Sequence, residues 1–139
     1  MRVQNKSIIV TGAGSGIGEG IAHRLAAEGA QVIVNDVNVS GGERVVADIT
    51  ARGGRASFFA ADVTRSDDVK ALVQAAVEKH GRLDVMVNNA GWTHRNQPAL
   101  DVSEEEFDRC YAVNVKSIYL SALHAVPVFR ANGGGAFIN

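Results

Sequence analysis

Residues 11–18 read Thr11-Gly-Ala-Gly-Ser-Gly-Ile-Gly18, directly after an apolar run at Ser7–Val10 and directly before residues with helical spacing. Glycines at this density let the backbone turn sharply and bring its N–H groups against a ligand with no Cβ in between. A helix that starts where the turn ends presents free N–H groups and partial positive charge, and both suit a phosphate. The spacing narrows the choice of turn. No Gly-Lys-Ser/Thr follows, which excludes a Walker-type loop for nucleoside triphosphates. Gly-x-Gly-x-x-Gly also fails: counting from Gly12, Gly14 or Gly16 puts Ile17, Glu19 or Ile21 at its last position. Gly-x-x-x-Gly-x-Gly fits, at Gly12, Gly16 and Gly18.

Two periodicities alternate downstream. Short apolar runs at 7–10, 31–35, 56–61, 84–88 and 136–139 lack helical spacing, as strands buried on both faces do. Helical segments separate them. Ile17, Ile21, Ala22 and Leu25 recur at threes and fours before Gly29, a stop signal. Ser40 with Glu43 suggests a capping box ahead of Val45, Val46 and Ile49. Ser66 precedes Asp67 and Asp68, acids suited to a first turn, and Val69, Leu72, Val73, Ala76 and Val77 form a stripe closed by Gly81. Ser103 with Glu106 predicts another capping box, opening a helical region that runs to about Asn132, with a bend expected near Leu123 from Pro127. The order β-α-β-α-β-α-β-α-β predicts an α/β protein with a Rossmann-type, doubly wound parallel sheet between two helix layers.

The second strand ends at Asp36, 18 residues after Gly18. A carboxylate there can accept hydrogen bonds from both hydroxyls of an adenosine ribose and would repel a 2′-phosphate. Neither Ser15 nor Val37 offers the cation that a 2′-phosphate needs, so NAD is expected rather than NADP. A loop aspartate capping local backbone is the other reading of Asp36.

With 139 residues and 46% hydrophobic content, one domain with a real core is expected. A net charge of −1 argues against a nucleic-acid surface or a basic membrane patch. No apolar run approaches the roughly 20 residues of a membrane span, and Met1 leads into a strand with no signal-peptide pattern, so a cytoplasmic location is expected. His23, His80, His94 and His124 have no metal-ligand spacing with one another or with the lone Cys110, and no metal site is expected.

Further motifs fall in order: Asp62-Val63, Asn88-Asn-Ala-Gly91, Asn114 within Val113-Asn-Val-Lys-Ser117, and Gly133-Gly-Gly-Ala-Phe-Ile-Asn139. Together with the glycine turn they resemble the N-terminal, cofactor-binding part of the short-chain dehydrogenase/reductase family, from near residue 6 onward. The resemblance implies that Gly12, Ser15, Gly16, Ile17 and Gly18 line a pyrophosphate. Asp62 would accept from the adenine amino group with Val63 beside the ring, and Asn89, Ala90 and Gly91 would pack near the central ribose. Asn88 and Asp84 would secure the strand and its loop. Asn114 matches the family's catalytic asparagine, which distorts its helix and holds a water in a proton relay; a polar residue capping a bent helix is the alternative. Residues 92–96 either border the substrate site or form an exposed loop.

The family's other catalytic residues, a serine and a Tyr-x-x-x-Lys pair, do not occur at matching positions. Val115 lies four residues after Tyr111 and Leu123 four after Tyr119. The resemblance therefore implies an NAD-dependent oxidoreductase for an alcohol/carbonyl pair, truncated after the fifth strand and expected to be inactive as these 139 residues. A non-catalytic dinucleotide-binding module is the alternative. The full-length form is expected to be a homo-oligomer, dimer or tetramer, with the helix from Glu104 in an interface and the fifth strand at an open edge.

Overall fold

A computed structural model describes Met1–Asn139. Five strands, β1 (Ser7–Val10), β2 (Gln31–Asp36), β3 (Arg55–Ala60), β4 (Val85–Val87) and β5 (Ala136–Ile138), form one parallel sheet in the order β3-β2-β1-β4-β5. The order reverses at β1, so the chain winds outward in both directions from it. The connections are α1 (Gly16–Ala27), α2 (Val39–Ala51), α3 (Ser66–His80) and a long helical run made of α4 (Glu104–Tyr111), a π turn (Ala112–Lys116) and α5 (Ser117–Ala131).

Alternation along the strands explains the three layers. Successive strand side chains point to opposite faces, and here both faces are apolar. Ile8, Val10, Val32 and Val34 pack with Ala22 and Ala26 of α1 and with Val45 and Ile49 of α2. Ile9, Ile33 and Met86 pack on the other face with Leu72, Val73 and Ala76 of α3 and with Ala125 and Phe129 of α5. Each fully buried Ile, Leu or Val stabilises the fold by roughly 1.5–3 kcal/mol relative to leaving it in water.

Several local expectations need correction. Asn38, not Ser40, caps α2, its side chain accepting from the Gly41 N–H; Ser40 lies inside the helix and donates to Asn38 Oδ1. Helix α3 starts at Ser66, so Arg65 is the N-cap residue and makes no side-chain cap. Val69, Leu72, Val73 and Ala76 are buried as the stripe predicts, but Val77 is 38% exposed and Ala75 is buried as well. Ile17 is 78% exposed, so the apolar stripe of α1 begins at Ile21. The capping box at Ser103 and Glu106 is present, and Gly81 closes α3 at φ 75°.

The helical run Glu104–Ala131 spans 28 residues and is long and apolar enough to cross a bilayer, which corrects the reading of the sequence on that point. Its apolar residues are divided, however, between a buried side (Leu120, Ala125, Phe129) and an exposed stripe (Phe107, Tyr111, Val115, Tyr119, Leu123). Helix α5 continues through Pro127, and the break in α-helical bonding lies upstream, in the π turn.

Candidate cofactor site

The carboxyl ends of the strands open onto a cleft of about 1020 Å³, on the side where the sheet order reverses. In open α/β sheets ligands occupy that crevice. Gly12, Ser15, Gly16, Ile17 and Gly18 from the glycine turn, Asp36 after β2, Asp62 and Val63 after β3, and Asn89, Ala90 and Gly91 after β4 all line it.

Side-chain volume explains the glycines. Gly12 sits at φ 62°, and a Cβ there would come within 2.8 Å of Ala90 Cα. A Cβ on Gly18 would overlap the Gly12 carbonyl oxygen and the Asn89 amide. The turn is thereby pressed against the loop after β4. Thr11 and Asn89 stitch the two together: Thr11 Oγ1 accepts from the Asn89 and Ala90 N–H groups, and Asn89 Nδ2 donates to the carbonyls of Thr11 and Gly12 at 2.9 and 3.2 Å. Asn89 thus shapes the turn as well as lining the cleft.

Ser15 stands at the N-cap of α1 with extended backbone, and its hydroxyl makes no capping hydrogen bond. The first N–H groups of α1 therefore have no side-chain acceptor, which suits an incoming phosphate. Ile17 projects from this first turn at the cleft, an apolar side chain with nothing of the protein over it.

Asp36 is fixed by two backbone donors. Its Oδ2 accepts from the Gly14 N–H and its Oδ1 from the Asn38 N–H, each at 2.9 Å. The carboxylate thus caps local backbone, the second reading of this residue, and is held at the cleft by doing so. Each oxygen keeps a second lone pair. Asp62 is similar, with Oδ1 accepting from the Thr64 N–H and hydroxyl while Asp68 takes the Asp62 N–H.

Asn114 lies in the π turn, and its amide is engaged on backbone. Nδ2 donates to the carbonyls of Trp92 (2.6 Å) and Cys110 (2.8 Å), and Oδ1 accepts from the Trp92 N–H at 3.1 Å. The side chain thus clasps the loop after β4 to the long helix. It is not among the groups lining the cleft, whereas Asp108, Arg109, Ala112 and Val113 of the same helical run are. These four and Trp92 were not singled out as cofactor contacts; their helical spacing, three and four apart, resembles any amphipathic face.

Asn88, just past the carboxyl end of β4, and Asp84, just before its start, fasten strands together. Asn88 pairs with β5 through its N–H to the Ile138 carbonyl and its side chain to Asn139. Burial works to raise the Asp84 pKa, but the Ser7 N–H, the Arg82 guanidinium and Lys6 together hold it below the ordinary carboxylate value. Glu19, His23 and Asp48 approach one another closely enough to share a cation. Arg44 already fills that place, donating to Glu19 at 2.7 Å and to Asp48 at 3.4 Å.

The short chain dehydrogenase family model matches residues 6–139. The 4-formylbenzenesulfonate dehydrogenase of Comamonas testosteroni is 48% identical over 139 residues, which cover 100% of this chain and 55% of the relative. A metagenomic short-chain oxidoreductase solved with NADP superposes with a TM-score of 0.93 at 35% identity, covering 100% of this chain and 63% of that one. A 7α-hydroxysteroid dehydrogenase solved with NADH and 7-oxo glycochenodeoxycholic acid gives 0.91 at 37% identity, covering 97% and 52%. The chain spans about half the length of the curated relatives it matches. The family match over residues 6–139 and the close superposition of the whole fold place it: the chain belongs to the short-chain dehydrogenase family.

Proposed function

We propose that the cleft binds NAD, with its pyrophosphate on the glycine turn and the first turn of α1, and that the chain is the cofactor-binding part of an oxidoreductase for an alcohol/carbonyl pair. The observation that carries this reading is the convergence of the glycine turn, Asp36, Asp62 and Asn89 on one cleft beside an uncapped helix N-terminus. When bound, the nicotinamide supplies the hydride acceptor or donor. The chain's own part is to bind and orient it. Gly12 and Gly18 leave room for the backbone to approach, Asp36 accepts from the ribose hydroxyls, Asp62 and Val63 border the adenine, and Ile17 covers the pyrophosphate. Asn114 acts as the family's asparagine by keeping the π turn and the residue 91–92 backbone in place.

NAD is favoured over NADP because Asp36 is pinned as an acceptor and the next residue, Val37, carries no charge. The named substrates of relatives, a sulfonated benzaldehyde and a bile-acid derivative, support a small-molecule alcohol or carbonyl substrate. No Tyr-x-x-x-Lys occurs in these 139 residues, so they are expected to bind cofactor without turning over an alcohol. The exposed stripe from Phe107 to Leu123 supports homo-oligomer formation, and the net charge of −1 favours a cytoplasmic protein without nucleic-acid or membrane partners.

Calorimetric titration with NADH and NADPH tests the reading. NADH is expected to bind at least tenfold more tightly, and Asp36→Ala with Val37→Arg should reverse the order. Tighter binding of NADPH by the unaltered chain would overturn the assignment of Asp36.

A further inference from the structure

The charged residues lining the cleft are Asp36, Asp62, Asp108 and Arg109. Three acids repel an anionic ligand, and Arg109 is the one cation among the lining residues that opposes them. Its guanidinium lies over the indole of Trp92, 4.4 Å from the ring centroid. Stacking engages the face of a guanidinium and leaves its in-plane N–H groups free. Arg44 and Arg82 are drawn onto nearby carboxylates, but the Arg109 side chain makes no salt bridge or hydrogen bond within the chain.

The platform beneath Arg109 is itself held. Asn114 takes the Trp92 N–H and donates to its carbonyl, so the backbone that carries the indole is tied to the same helical run that carries Arg109. An arginine fork held at the edge of a cleft, with its donors unengaged, matches a planar or tetrahedral oxyanion through two parallel hydrogen bonds.

We propose that Arg109, stacked on Trp92, is an oxyanion-recognition residue of this cleft, taking a carboxylate, sulfonate or phosphate of the bound molecule. This rests on the cleft being the ligand site. The oxyanion has two possible sources, an acidic group on the substrate and a phosphate of the dinucleotide.

Calorimetric titrations of the 139-residue chain and of its Arg109→Gln and Arg109→Lys variants separate the sources. The probes are NADH, then benzoate and benzyl alcohol added with and without NADH. Arg109→Gln should weaken one oxyanion-bearing probe about tenfold, as loss of a charge-assisted pair does, and leave benzyl alcohol within about twofold. Arg109→Lys, which keeps the charge but not the fork, should recover part of the loss. A loss confined to benzoate identifies a substrate acid; a loss in NADH identifies the dinucleotide phosphate. If NADH does not bind the unaltered chain, the cofactor reading fails, and benzoate without NADH still reports on Arg109. Unchanged binding of both anions in Arg109→Gln, or no anion binding by the unaltered chain, overturns the proposal.

Discussion

Gly18 and Asn89 meet at a contact with no slack. The missing Cβ of Gly18 is what lets the Asn89 amide reach the Thr11 and Gly12 carbonyls. Gly18→Ala is expected to push the turn away from the loop after β4 and to lower NADH affinity at least tenfold in a calorimetric titration. Gly20→Ala, where a Cβ meets nothing within 4 Å, should leave affinity unchanged. Equal affinities for the two variants would contradict the close-contact account. The spacing of the turn was legible because the need for glycine is local. The role of Asn89 as a stitch between turn and loop was not, because it depends on residues 78 apart in sequence being brought together by the β1–β4 pairing.

Among the elements, the long helix shows where local patterns suffice and where they fail. Its start at Ser103 and Glu106 was readable, since a capping box lies within four residues. The π turn was not readable from periodicity; the family motif around Asn114 alone implied a local distortion. The caps of α2 and α3 were misplaced by one or two residues, because an Asn before a Val and an Arg before a Ser compete with better-looking Ser residues nearby. Asn114→Ala removes an acceptor for the Trp92 N–H and donors for two carbonyls. At about 1 kcal/mol for each lost bond, melting should fall by several degrees, with a red shift in the emission of Trp92, the chain's one tryptophan. An unchanged melting temperature and emission maximum would show that the clasp carries no weight.

At the scale of the molecule, two properties follow from what the fold leaves uncovered and what it buries. Phe107, Tyr111, Val115, Tyr119 and Leu123 recur every four residues along one face of the long helix, each 46–64% exposed, and β5 has β4 as its one sheet neighbour. Such a face favours self-association. Sedimentation should detect dimers or larger species, and Tyr111→Lys with Tyr119→Lys should shift the chain toward monomer; a monomeric unaltered chain would contradict this. Beneath the sheet, burial, with Lys79 and Arg55 nearby, lowers the His80 pKa below imidazole's ordinary 6.5, while Ser7 Oγ lies 2.8 Å from its Nδ1. A lowered folded-state value means that the unfolded chain binds the proton more tightly. Stability is therefore complete above pH 6.5 and declines as pH falls through the folded value; Asp84 adds a second decline below its ordinary 3.8. His80→Gln should flatten the first decline in urea midpoints measured between pH 7.5 and 5.5, and an unchanged slope would remove His80 as its cause.

The cleft beside the glycine turn is proposed to hold a reduced or oxidised nicotinamide dinucleotide. Trp92 lines that cleft, so its emission reports on what enters. Titration with NADH should quench Trp92 saturably, with energy transfer to the reduced nicotinamide, and Gly18→Ala should move both signals to at least tenfold higher concentration. A folded chain whose Trp92 emission does not respond to NADH, with no binding heat to match, would show that the cleft is not a dinucleotide site.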